Sequence, residues 1–370
     1  MEEKVKVLIV MGGSYMGVGG IESMVINYYR NIDKSKVQID FAFFGDGVGL
    51  YDDEIIANGG RLFHLPIKTK HYLKSVCAMK RLLKRENYDI VHANLNAAGI
   101  KWSLQIAKEC GVKVRISHAH SANHGTQSKV RWLLNDLSRM QITKYATHNV
   151  ACSDLAGDWY YGTKAYTLVR NAVNTKQFLY NEETRKAVRA ALQADEKFVV
   201  GHVGNLGYPK NQSFLLDIFS KVVAAEPASE LWLIGEGEDL AMLQDKAAAL
   251  GIDEKVKFLG RRADVNQLMQ GMDVFVLPSF FEGFPVVITE AVAADLPCIV
   301  SDSVTKMVKI SDKVEMLNIN SAPGVWSDRI VSYLGTNRCN NHQLIKDSGF
   351  DICVEAKKLE NFYLNGRFEL

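Results

Sequence analysis

Phe198-Val199-Val200-Gly201-His202-Val203-Gly204-Asn205-Leu206-Gly207-Tyr208-Pro209-Lys210-Asn211 is a short apolar run that ends in glycines and a lysine and leads into a periodic stretch at 211–225. An apolar run of four to eight residues, a turn and then ten or more residues at helical spacing is the repeating unit of a parallel sheet wrapped by helices. The same unit opens the chain, where the run 5–10 is followed by a glycine-rich turn and the periodic stretch 21–30. Further runs lie at 37–44 and 61–65; then 90–93 precedes 97–110, 112–117 precedes 129–145, and 149–152 precedes 154–161. At 198 the series restarts, with runs at 231–234, 256–259, 274–277 and 298–300 separated by helical stretches at 239–250, 265–271 and 285–294. A polar, helix-prone stretch, 181–195, lies between the two series.

The pattern predicts an α/β chain of two Rossmann-like domains whose parallel sheets face each other across a cleft. The expected boundaries are 1–175 for the first domain, 176–350 for the second, and 351–370 for a closing helix, apolar at Ile352, Ala356, Leu359 and Tyr363. Open parallel sheets bind ligands at the carboxyl ends of their strands. The cleft between two such edges is therefore the expected site.

The 370 residues suit two cores better than one. Apolar residues at 47% and charged ones at 23% exclude a disordered or fibrous chain. Lys and Arg number 44 against 42 Asp and Glu, so a net charge of +2 supplies no global field for a nucleic acid. Six scattered cysteines with no CxxC spacing argue against a disulfide framework or zinc knot. The first apolar run starts at Val5, leaving no room for a signal peptide, and no run approaches the length of a membrane span. A cytoplasmic location is expected.

Four segments can carry chemistry. The first is Gly12-Gly13-Ser14-Tyr15-Met16-Gly17-Val18-Gly19-Gly20, between the first strand and first helix. Clustered glycines let a backbone approach a ligand, and the helix start beyond offers N–H groups and partial positive charge. It matches neither GxGxxG nor GxxxxGK[ST]. The second segment holds His118 and His120, just past the strand residues 114–116, with His124 nearby. No acidic or thiol ligand is spaced to complete a zinc site, so no metal is expected, and an imidazole N–H for a sugar hydroxyl or reacting group is the alternative.

In the third segment, Gly204, Asn205 and Lys210 follow the second domain's first strand, where main-chain amides and a point charge form a phosphate cradle. The fourth is Pro278-Ser279-Phe280-Phe281-Glu282-Gly283-Phe284-Pro285-Val286-Val287-Ile288-Thr289-Glu290-Ala291. Glu282 falls in a loop and Glu290 on the helix that Pro285 can start as a first-turn residue. Two carboxylates suit a polyhydroxylated molecule, because each accepts hydrogen bonds from hydroxyl pairs. The amides near Phe284, Pro285 and Val286 suit phosphate. Sugar and phosphate together indicate a nucleotide sugar, and a simple glycosidase would not need two phosphate loops beside its carboxylate pair.

The chain closely resembles the retaining GT-B glycosyltransferases of family 4, typified by bacterial capsule and exopolysaccharide enzymes. The resemblance covers nearly the whole chain: the glycine-rich loop, Arg115-Ile116-Ser117-His118-Ala119-His120, Ala151-Cys152-Ser153-Asp154, Arg170-Asn171-Ala172-Val173-Asn174 with Phe178, Val203-Gly204-Asn205-Leu206 with Lys210-Asn211, and Glu282-Gly283-Phe284-Pro285 with Glu290-Ala291. It implies a donor, a UDP-hexose or UDP-N-acetylhexosamine, held mainly by the second domain, and a glycan or polyprenyl-linked acceptor held mainly by the first. It also implies roles: Glu282 on donor-sugar hydroxyls, Glu290 on the ribose, Lys210 on the diphosphate, Gly19 and Gly20 approaching the phosphates, and His120, or the neighbouring His118, contacting the donor. The final helix is implied to cross back onto the first domain. No cofactor or metal is implied.

Asn205 departs from the pattern, since the family usually carries arginine there and an amide brings no charge. Asn171-Ala172 likewise stands in place of the common Asn-Gly. A UDP-sugar-binding protein without full activity and a sugar-nucleotide epimerase of similar fold are the competing readings. The basic and apolar mixture at 68–84 suits either an anionic membrane surface near a lipid-linked acceptor or a plain solvated helix.

Overall fold

A computed structural model of the chain describes residues 3–17, 19–67, 70–94, 97–121, 129–339 and 342–366. Val18, Lys68, His124 and residues 367–370, which fall in segments considered above, lie outside the described residues. Contacts divide the chain into two units, 1–172 with 352–370 and 173–351.

The first unit contains β1 (Val5–Met11), β2 (Val37–Phe44), β3 (Leu62–Leu65), β4 (Ile90–Asn94), β5 (Val114–Ala119), β6 (His148–Ala151) and β7 (Thr167–Leu168). They form one parallel sheet in the order β3-β2-β1-β4-β5-β6-β7. Strands of such a sheet are covered on both faces and therefore read as continuous apolar runs; Val7, Leu8, Ile9 and Val10 are all buried. The order reverses between β1 and β4, so the loops leaving these strands diverge and leave a crevice.

The helix Ile352–Asn365 belongs to this unit and packs against the helix Gly20–Asn31. Its Ile352, Ala356, Leu359, Phe362 and Tyr363 recur at helical spacing and join the same core as Val7, Tyr29 and Phe41. Glu360 of this helix accepts from the Asp33 N–H at 2.8 Å, which sets the helix along its axis.

The second unit contains β8 (Phe198–Val203), β9 (Ser229–Ile234), β10 (Val256–Gly260), β11 (Val274–Leu277), β12 (Cys298–Ser301) and β13 (Val314–Leu317). Their order is β10-β9-β8-β11-β12-β13, again parallel, with the reversal between β8 and β11. The chain enters and leaves this unit side by side: Val173 pairs with Asp351, and the Thr175 hydroxyl donates to the Asp351 carboxylate at 2.8 Å.

Three expectations need correction. The helix expected over 285–294 runs Val286–Ala293 with Pro285 as its cap residue, because proline fixes its own φ but here keeps an extended ψ of 99°. The stretch 129–145 is two helices, Lys129–Arg139 and Ile142–Tyr145, rather than one. The fifth strand runs on to Ala119, so His118 lies within it and not beyond it. Among the described residues, no helix is long and apolar enough to cross a membrane.

Phe362 is fully buried. Replacing it with alanine removes its aromatic packing from the first unit's core and should lower unfolding free energy by about 3–5 kcal/mol. Denaturant unfolding of Phe362→Ala checks this; a loss below about 0.5 kcal/mol would show that the helix is dispensable to that core.

Candidate functional site

In the second unit, the loops leaving β8 and β11 flank the strand-order reversal, and several bonds tie them together. The Phe280 N–H donates to the Pro209 carbonyl at 3.0 Å, and the Asn211 side-chain amide donates to the Pro278 carbonyl at 3.1 Å. Asn211 adopts a left-handed φ of 57°, a conformation that asparagine tolerates better than most residues. It opens the helix Gln212–Ala225 while reaching across to the other loop. Gln212 donates to the Asn205 carbonyl at 2.9 Å and so fixes the glycine loop from behind.

This frame brings Lys210 and Glu282 together. Lys210 Nζ donates to Glu282 Oε1 at 2.5 Å, with both side chains largely buried, and the Ser279 hydroxyl donates to the same oxygen at 2.9 Å. A Cβ on Gly204 would lie 3.1 Å from the Lys210 Cε, so the lysine stem lies across the glycine. Gly235, with φ +140°, approaches the same loop: a Cβ there would stand 2.0 Å from the Gly204 carbonyl oxygen. Only glycine fits both demands. Asn205, next to Gly204, is exposed.

Phe284 is buried and stacks on Phe350, with centroids 4.9 Å apart. This contact anchors the turn into the helix Val286–Ala293. Pro285 has no N–H, but the first-turn amides of Val286 and Val287 have no upstream carbonyl partner within the helix. The helix start thus offers donors and partial positive charge four residues past Glu282. Glu290 follows Val286 by four residues and so shares its helix face. Burial raises the Glu290 pKa from 4.5 to about 7.

The first unit holds Gly19, Gly20 and His120. Gly19 caps the helix Gly20–Asn31, and a Cβ on it would lie 2.4 Å from a Glu22 carboxylate oxygen. Glu22 therefore folds back over the helix start, where its charge is favourable. An approaching anion would have to displace this side chain. The preceding loop is held to its neighbour by bonds from the Phe44 N–H to the Gly13 carbonyl at 2.9 Å and from the Leu50 N–H to the Met16 carbonyl at 3.0 Å.

His118, within β5, and His120, one residue past its end, point to the same side because side chains of an extended backbone alternate, and their rings lie 4.0 Å apart. His118 is fully buried, with Nδ1 bonded to His92 Nε2 at 3.0 Å; His92 Nδ1 in turn bonds the Tyr363 hydroxyl at 2.7 Å. His120 Nε2 donates to Asn94 Oδ1 at 2.7 Å. Asn94 as acceptor places the proton on Nε2, leaving the His120 Nδ1 lone pair without a partner among the described residues. Desolvation lowers His92 and His120 to about 3 and His118 well below its ordinary value, so all three imidazoles are neutral. His118 is committed to the interior, whereas His120 is partly exposed. Among the described residues, no group of three His, Cys, Asp or Glu side chains is placed to hold a metal ion.

Sequence reasoning did not single out Ser279, Asn94 or His92, and it read Tyr363 only as an apolar position of the closing helix. Asn94 could have been noticed, because it ends β4 beside the strand-order reversal. The His92 and Tyr363 partnership spans 271 positions and leaves no local signal.

Residues 18–177 match the family described as Glycosyltransferase Family 4, and residues 197–334 match Glycosyl transferases group 1. The chain is 32% identical over 372 residues to the putative glycosyltransferase EpsF of Bacillus subtilis (strain 168), covering 97% of this chain and 96% of that protein. It is 26% identical over 313 residues, 79% of each protein, to the UDP-Gal:alpha-D-GlcNAc-diphosphoundecaprenol alpha-1,3-galactosyltransferase of Escherichia coli. The structure of Anabaena HepE in complex with UDP and glucose superposes with a TM-score of 0.76 at 18% identity, covering 96% of this chain and 95% of that one. The fold is GT-B, and the chain belongs to glycosyltransferase family 4.

The raised pKa of Glu290 has a thermodynamic consequence. A carboxyl whose folded pKa exceeds its unfolded value gives stability that is fully present below the unfolded pKa and lost as pH rises through the folded one. Stability should therefore fall between pH 4.5 and about 7, and Glu290→Gln should remove that part of the slope. Unfolding midpoints across this window check it. An unchanged slope in the variant would mean that Glu290 ionises freely.

Proposed function

We propose that this glycosyltransferase moves a hexosyl unit from a UDP-sugar to an acceptor hydroxyl with retention at the anomeric carbon. The acceptor is a glycan or a polyprenyl-linked glycan of exopolysaccharide, capsule or related cell-surface synthesis. The observation that carries the reading is the Lys210–Glu282 pair, closed at 2.5 Å, with the lysine stem over Gly204 and the glutamate four residues before the helix Val286–Ala293. A cation, main-chain amides and a carboxylate converge where parallel sheets bind ligands. Support also comes from the relative whose name specifies UDP-Gal and a diphosphoundecaprenol acceptor, and from the neighbour bound to UDP and glucose.

On this reading the resting ion pair is a store of both partners. Lys210 turns to the diphosphate, while Glu282 is left to accept hydrogen bonds from donor-sugar hydroxyls. Charge develops on the leaving diphosphate as the sugar acquires oxocarbenium character. Lys210 and the amides of the Gly204–Asn205 loop and of the helix start at Val286 stabilise it, because preorganised donors need little rearrangement. The acceptor attacks the face that the UDP leaves, and its proton passes to a departing phosphate oxygen. His120 offers its Nε2–H or Nδ1 lone pair to the donor, Gly19 and Gly20 let the backbone come near the phosphates, and Glu290 binds the ribose hydroxyls.

Calorimetric titration with UDP tests the binding half of this scheme. Lys210→Ala should weaken UDP by at least about tenfold, and an unchanged affinity would remove Lys210 from the diphosphate. Asn205→Arg should strengthen binding or turnover by restoring a second cation; loss of both would show a site built around the amide. Two ribose hydroxyls favour the ionised Glu290, so binding near pH 6 should release a proton and affinity should rise with pH through about 7. Titrations in buffers of different ionisation enthalpy measure that proton. Its absence would place Glu290 away from the nucleotide.

A further inference from the structure

The frame that closes Lys210 on Glu282 closes a second pair beside it. Tyr208 stands two residues before Lys210 and Phe280 two residues before Glu282, and the bond from the Phe280 N–H to the Pro209 carbonyl ties the two loops together. The Tyr208 and Phe280 rings stack with centroids 5.2 Å apart and planes 28° from parallel, while Phe281 is set at 56° to Tyr208 with its centroid 6.2 Å away. Stacking covers only part of the pair: Tyr208 remains 53% exposed and Phe280 40%. The side chains of Lys210 and Glu282 are only 19% and 15% exposed. The two loops are therefore graded in depth, with an ion pair inside and an aromatic shelf outside.

Chemistry narrows what such a shelf takes. A pyranose ring carries hydroxyls at its edge and a face of C–H groups, whose partial positive charge suits the negative face of an aromatic ring. Ligand sites combine apolar and aromatic walls with a few polar groups that fix orientation, and the same two loops supply Lys210, Glu282 and the exposed amide of Asn205. A protein partner is disfavoured. Among the described residues, no other large apolar side chain is exposed on these loops, and two rings fall far short of the roughly 800 Å² that a stable interface buries on each side. A nucleobase would also stack, but the proposed donor has its ribose at Glu290, eight residues beyond Glu282 and on the helix Val286–Ala293. The donor's sugar is assigned to Glu282, inside the shelf. The ring that remains is one of the acceptor.

We propose that Tyr208 and Phe280 form a sugar-stacking subsite that receives the C–H face of an acceptor pyranose. The proposal rests on the UDP-sugar reading and deepens it: the acceptor hydroxyl belongs to a sugar ring rather than to a small hydroxy acid or a simple alcohol. It also gives the second unit a part in acceptor binding. Stacking fixes the plane of the acceptor ring and leaves its edge hydroxyls free to turn toward the reacting carbon, which is the orientation a transfer between two sugars needs.

Saturation-transfer NMR on the full chain, with and without UDP, tests the proposal with methyl β-D-glucopyranoside, methyl β-D-galactopyranoside and methyl N-acetyl-α-D-glucosaminide as probes. At least one of these sugars should receive saturation, strongest on the ring C–H protons of one face. Its affinity should fall about tenfold in Tyr208→Ala and in Phe280→Ala and be retained in Tyr208→Phe, which keeps the ring. UDP affinity of both alanine variants, measured by calorimetry, should match the parent, because the rings lie outside the ion pair. Saturation of none of the sugars, or equal binding by the alanine variants, overturns the proposal. So does weaker UDP binding by both variants, which would assign the rings to the nucleotide or to the frame itself. A parent that binds a sugar through these rings but does not bind UDP would leave the subsite standing and refute the donor reading alone.

Discussion

The reversal of strand order beside β8 is the constraint on which the candidate site of the second unit depends. Because β9 and β11 lie on opposite sides of β8, the connections leaving the neighbouring strands β8 and β11 diverge and leave a crevice between them. Their mutual hydrogen bonds through Pro209, Asn211, Pro278 and Phe280 convert a topological gap into a fixed frame. Lys210 and Glu282 close on each other within it, 72 positions apart in the chain. The glycines at 204 and 235 follow from the same closeness, since backbone and lysine stem occupy the space of their missing side chains.

A second frame, of different chemistry, organises the first unit. His92, His118 and Tyr363 link β4, β5 and the final helix by hydrogen bonds in a site too dry for an imidazolium. The last helix therefore does more than fill the core with Phe362: its tyrosine takes part in ordering the histidines. His120 sits at the edge of this network, its protonated nitrogen set by Asn94. Neutrality is useful at such a position. A neutral imidazole keeps one donor and one acceptor through physiological pH, so its hydrogen-bonding pattern does not vary with proton concentration.

Much of this was legible in the sequence. Apolar runs separated by turns and helical stretches gave the two α/β series, because strands covered on both faces advertise themselves. The glycine loop with Lys210 and the segment from Glu282 to Glu290 were identified from residue chemistry and spacing. Other features were hidden for physical reasons. The strand Val114–Ala119 seemed to stop early because its buried end is Ser117-His118-Ala119, where the Ser117 hydroxyl and His118 Nδ1 find partners far away in sequence. Val314–Leu317 was missed since four residues containing a glutamate make a weak signal. Periodicity showed that residues 129–145 were helical and two-sided, but it could not say which side faces water; here the answer is the opposite of the usual one.

The account turns on one donor being met by Lys210, the glycine loop and the start of the helix Val286–Ala293. A crystal structure of the protein with an intact UDP-sugar tests this most directly. The account predicts the diphosphate within hydrogen-bond distance of Lys210 Nζ and the Val286 amide, with Glu282 released from its lysine onto sugar hydroxyls and Glu290 on the ribose. A donor bound while Lys210 and Glu282 remain closed on each other, or one seated away from the β8–β11 crevice, would contradict it.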